Sequence, residues 1–200
     1  MDADAIKTGV WRVLEQLVVL AFLGAFLYIC ADEPFLVPAD NPWLADGITP
    51  RELRGLPGIL VAPFHHADHD HLYQNLLPLL IMGWGILLEG SARFWQASLF
   101  ITVASGLIVW LLGVDGHLYL GSSAVVFGYM GFLMMRAYAS RRPLWIALAI
   151  VATLIFGGRV FSIALGRGDP GWLGHTSGFV AGIWCAAVMH RPRSAVDGHW

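Results

Sequence analysis

The chain has 200 residues, 57% of them hydrophobic and only 13% charged, with a formal net charge of −2. A soluble domain carries about 25% charged residues, so the composition excludes an ordinary water-soluble domain. The slightly negative balance also argues against a nucleic-acid partner. Two cysteines, Cys30 and Cys185, sit in apolar stretches and read as small buried side chains, not as a structural disulfide.

Charge is missing from long windows: Gln16 to Ala31, Leu72 to Leu88, Phe94 to Val114, Leu118 to Met135 and Pro143 to Gly158. A bilayer core needs roughly 20 apolar helical residues. In chain order the predicted spans are Val10–Cys30, His71–Leu88, Phe94–Gly113, Ser123–Arg136, Pro143–Gly158 and Gly174–His190. The first follows Lys7 and Arg12 in the pattern of a signal sequence. Because the rest of the chain is equally apolar, an uncleaved span is the expectation. The predicted class is an all-α membrane protein of six transmembrane helices, one domain over residues 1–200.

Basic residues set the orientation. Lys7, Arg12, Arg93, Arg136, Arg141, Arg142, Arg191 and Arg193 all fall on one side of such a six-span chain, and Arg51, Arg54, Arg159 and Arg167 on the other. Both termini (1–9 and 191–200) are therefore expected in the cytoplasm, and the connection 31–70 outside. That connection holds Phe35, Trp43, Leu53, Leu56 and Ile59-Leu60-Val61. It is too apolar for a solvated linker and is expected to pack on, or dip into, the outer leaflet.

Polar residues at membrane depth are costly, which makes them functional candidates. Three clusters fall at the outer ends of predicted spans. In His65-His66-Ala67-Asp68-His69-Asp70-His71 through Asn75, His71 and Asn75 are four apart and share one helix face. In Gly121-Ser122-Ser123-Ala124, serines open an apolar helix, where free N–H groups and the positive dipole end suit a developing oxyanion or a plain N-cap. In the third, Gly174, Gly178 and Gly182 form a small-residue ridge flanking His175. Ala124, Gly128 and Gly131 make a matching face, so the two helices can meet backbone to backbone and bring His175 to Ser123. The stretch Ser123 to Arg136 spans roughly 21 Å as helix, shorter than a bilayer core of about 30 Å, which places Ser123 below the outer surface. Hydrolysis there needs a water-filled cavity open to the outside.

These residues resemble the rhomboid family of intramembrane serine proteases over nearly the whole chain. The family's histidine followed by His-x-x-x-Asn is similar to His66, His71 and Asn75, and its Gly-x-Ser to Gly121-Ser122-Ser123. Its sixth-span histidine with spaced glycines is similar to His175, Gly178 and Gly182, and Glu89 with Arg93 resembles its second connection. The resemblance implies a nucleophile at Ser123 and a general base at His175, with no cofactor and no metal. It implies an oxyanion hole from the Ser123 N–H, His71 and Asn75, beside Gly121, with His66 as a supporting polar residue. It further implies a single-span membrane protein as substrate, cut near its outer end, the lipid bilayer as surroundings, and the fifth span as gate; the lack of a presequence rich in Arg and Ser points to a bacterial plasma membrane as the expected location. Two positions depart from the family pattern. Ala124 stands where Gly is usual, and Phe127 stands where Tyr is frequent, its ring still able to stack on His175.

Two other readings compete. A metal-dependent membrane hydrolase or transporter would use the dense His/Asp run from His65 to His71. A pseudoprotease of the same fold would bind client helices without cutting them. Elsewhere, Asp115 and His117 read as a solvated loop, His190 and His199 as tail residues, and Trp11, Trp95 and Trp145 as interface anchors.

Overall fold

The structure, a computed structural model, describes residues 3–32, 47–164 and 171–190. Its helices are α1 (Ala3–Asp32), a short α2 (Gly58–Val61) between 3₁₀ turns at Leu53–Gly55 and Ala62–Phe64, α3 (His69–Leu87), α4 (Ser91–Leu112), α5 (Ser123–Ser140), α6 (Pro143–Ala164) and α7 (Trp172–Met189). Each predicted span falls on one long helix, with ends that differ by a few residues. Three segments are long and apolar enough to cross a membrane by length and composition: Lys7–Cys30, Ser91–Leu112 and Trp172–Met189. Among the described residues the chain is all-helical apart from one antiparallel bridge, Ile48 with Tyr119.

The core forms around α5, which packs against α3, α4, α6 and α7. Its most extensive partner is α7, and the reason is the small-residue ridge. A Cβ added to Gly178 would stand 2.0 Å from the Ala124 carbonyl oxygen, and one added to Gly182 would stand 1.8 Å from that of Gly128. Only glycine lets two backbones approach this closely. Larger side chains, among them Phe94, Ile101, Tyr129 and Phe132, fill the space between the other helices.

The segment leading into α3 is bound to the bundle at several points. Ile48, Ile59 and Ala62 are buried against Val109 and Tyr119 in a second, smaller core. Backbone bonds join Ile48 to Tyr119 in both directions (2.8 and 3.0 Å). The Arg51 guanidinium donates to the Leu111 and Gly113 carbonyls (2.9 and 2.7 Å), closing the C-terminal end of α4, and also pairs with Asp115. Asp115 is thus tied to Arg51 while still facing solvent.

At the opposite end of α3, α5 and α7, Glu89 is 9% exposed at its side chain. A carboxylate this buried needs partners. It pairs with Arg136 of α5, with Arg93 of α4 at 3.5 Å, and with His190 just after α7 at 2.9 Å. This corrects the reading of His190 as a tail residue: its ring also bonds the Ala186 carbonyl at 2.8 Å. Trp145 is corrected as well. It is only 6% exposed and lies under Arg136, with the guanidinium carbon 4.9 Å from the ring centroid. Trp11 and Trp95 do face outward.

Candidate active site

Three helices start at the same end of the bundle and carry the candidate residues in their first turns. Asp68 caps α3: its backbone is extended and its Oδ1 accepts the His71 N–H at 2.7 Å. That cap fixes His71 within the first turn. α5 begins after Gly121, whose φ of +100° suits glycine alone, and the His71 ring occupies the space where a Cβ would stand. α7 begins at Trp172 and carries His175 one turn in. With three positive dipole ends on one side, this end of the bundle favours negative charge.

Ser123 and His175 meet, with Oγ 3.0 Å from Nε2. The Phe127 ring stacks on His175 (4.5 Å between centroids, 19° between planes), which holds the imidazole flat from behind. Both side chains line a cavity of about 550 Å³, together with His71, Gln74, Gly121, Ser105 and Tyr119. His117, expected in a solvated loop, also lines this cavity and packs edge-on against Tyr119.

The other predicted residues take distinct places. The Ala67 N–H donates to His71 Nδ1 at 3.5 Å, and the Nε2 side of the ring faces Gly121. Asn75 lies one turn further along α3, fully buried, with its amide donating to the His71 carbonyl at 2.9 Å. It stands outside the cavity lining. At the start of α5, the N–H groups of Ser123 and Ala124 precede the first intrahelical bond, which runs from the Val126 N–H to the Ser122 carbonyl.

His66 does not go to Ser123. Its Nε2 faces Ser122, with the backbone N–H and Oγ each 3.3 Å away. Burial, and secondarily the neighbouring His71, push the His66 imidazole down to about 4. The adjacent serines are thereby separated: Ser122 turns to His66, and Ser123 turns to His175. Among the described residues, no three His, Cys, Asp or Glu side chains come together as a ligand set for a metal ion. Sequence reasoning did not link His66 to Ser122. The signal was a second serine beside the first, with a histidine of unassigned role.

The comparisons with known proteins establish the family. A family model described as the Rhomboid domain matches residues 54–192. The chain belongs to the rhomboid family, and it is a membrane protein. It is 34% identical over 155 residues to an uncharacterized protein of Mycobacterium tuberculosis, covering 74% of this chain and 65% of the relative. The same figures hold for an uncharacterized protein of Mycobacterium bovis. An uncharacterized protein of Mycobacterium leprae is 32% identical over 143 residues, covering 68% of this chain and 57% of the relative. The chain thus spans somewhat less than two thirds of the length of these curated relatives.

Proposed function

We propose that this chain is an intramembrane serine endopeptidase that cuts single-span membrane proteins near the outer face of the plasma membrane. In this reading its six long helices all cross the bilayer and both termini are cytoplasmic. The observation that carries the proposal is the 3.0 Å contact between Ser123 Oγ and His175 Nε2 at the edge of a cavity of about 550 Å³.

Ser123 gives its hydroxyl proton to His175 Nε2 as Oγ attacks the peptide carbonyl carbon. The Ser123 N–H and the Nε2–H of His71 donate to the resulting oxyanion, and Asn75, behind them, steadies His71 through its bond to the His71 carbonyl. The tetrahedral species collapses, the C–N bond breaks, and the leaving amine takes the proton from His175. Water then repeats the sequence on the acyl-enzyme, with His175 again as base. Phe127 keeps the imidazole in plane through both halves.

A helical substrate hides its peptide bonds, so it must enter extended. The Ile48–Tyr119 pairing uses the Tyr119 backbone groups. By strand alternation, Leu118 and Leu120 turn theirs to the other edge, and both residues line the cavity. An extended segment of substrate can add there as a strand. The helix α6, which packs on α5 and α3, serves as the gate.

The test is labelling by a fluorophosphonate probe in liposomes, comparing wild type with Ser123→Ala, His175→Ala and Ser122→Ala. Labelling that needs Ser123 and His175 but not Ser122 supports the dyad. A folded wild type that takes no label would refute it.

A further inference from the structure

We propose that His66 is a positioning residue for the catalytic turn: it accepts the Ser122 backbone N–H and so fixes the peptide from which Ser123 and its oxyanion donors begin. The inference rests on the dyad reading above and concerns a residue that touches neither substrate nor reacting atoms.

The turn entering α5 is held by backbone bonds on both sides. The Gly121 N–H donates to the Ala62 carbonyl at 2.8 Å, and the Ser122 N–H donates to His66 Nε2 at 3.3 Å. Residues 121 and 122 are therefore both tied to the segment 62–66 of the outer connection. Ser122 is 2% exposed, so its N–H is satisfied by the imidazole and not by bulk solvent. Although Ser122 is the residue before α5, its side chain does not cap that helix. Its hydroxyl instead lies 3.3 Å from the same His66 nitrogen. A buried N–H that loses its acceptor must find another or shift. Here any shift passes straight to the next peptide, which carries the Ser123 N–H.

Only a lone pair can accept, so His66 must be neutral with its proton on Nδ1. Its surroundings favour that state. Of the titratable groups facing it, His71, with ring centroids 5.1 Å apart, and His65 oppose a charge on the ring, while Asp68 favours one more weakly. The start of α5 adds further positive potential. His66 also stands edge-on to His71 at 69°, so it steadies a second group of the oxyanion site. A packing role alone would need only the ring's bulk, whereas the positioning role needs an acceptor at the place of Nε2. Glutamine supplies that acceptor and alanine or leucine does not.

The experiment uses the full chain in liposomes with a fluorophosphonate probe, resolving the maximal labelling rate from the probe's apparent affinity, with thermal unfolding measured alongside. His66→Ala should lower the maximal rate about tenfold or more with affinity unchanged. His66→Gln should stay within about threefold of wild type, and Ser122→Ala within about twofold, because the backbone N–H remains. A folded His66→Ala that labels at the wild-type rate overturns the proposal. So does a folded His66→Gln no faster than His66→Ala, or a loss confined to affinity. Should His66→Ala not fold, His66→Leu takes its place in the same comparison. A folded wild type that takes no label refutes the dyad reading instead.

Discussion

The glycine ridge of α7 gives a sharp contrast between neighbouring positions. A Cβ on Gly178 would stand 2.0 Å from the Ala124 carbonyl oxygen, where ordinary contact begins near 3.4 Å, so the helices must part by about 1.4 Å. The obstacle is backbone and cannot rotate away. Overpacking of this kind costs about 1–3 kcal/mol, and a backbone clash belongs at the upper end. For a chain of this size about 3 kcal/mol lowers Tm by roughly 10 °C. Gly178 lies one turn beyond His175, and Ala124 is next to Ser123, so the same parting stretches the 3.0 Å dyad contact past hydrogen-bond length. Gly174→Ala should behave in the opposite way. Its Cβ would meet Ala124 and Val109 at an ordinary 3.9 Å, and alanine favours helix by about 1 kcal/mol. Thermal unfolding in detergent and fluorophosphonate labelling on both variants decide the matter. If Gly178→Ala melts no lower than Gly174→Ala and labels at the wild-type rate, the account of α5–α7 packing is wrong.

Gly121→Ala should abolish labelling at any temperature, because it combines a φ of +100° with a Cβ placed 2.6 Å from the His71 ring; wild-type labelling would contradict the local geometry. Removing the Glu89 carboxylate leaves Arg136, Arg93 and His190 facing one another, so Glu89→Ala should cost about 3–5 kcal/mol and lower Tm while leaving Ser123 reactive in whatever fraction folds. The neutral His66 makes stability depend on acid. Its pKa falls from 6.5 to about 4 on folding, so the unfolded chain takes up the proton first. Its stabilising share is complete above about pH 6.5 and is lost as pH falls toward about 4. Measured against His66→Gln, wild type should lose more Tm over that window; parallel curves would count against it.

Much of this molecule was legible from residue order. A lack of charge over long windows specifies apolar helix, since buried backbone must satisfy itself. Glycines spaced by four mark the helix pair that packs closest, because only a missing Cβ allows it. Gly121 before two serines and His175 beside Gly178 marked candidate residues, and the resemblance to the rhomboid family singled out Ser123 and His175 among them. Four features could not be read this way. The division of labour between Ser122 and Ser123, the recruitment of His190 by Glu89, the burial of Trp145 beneath Arg136, and Asn75's bond to the His71 carbonyl depend on which way side chains point once helices dock. A sequence period fixes the face of a helix; rotation about its axis, and the partners met across a 3 Å gap, are set only when distant segments pack together.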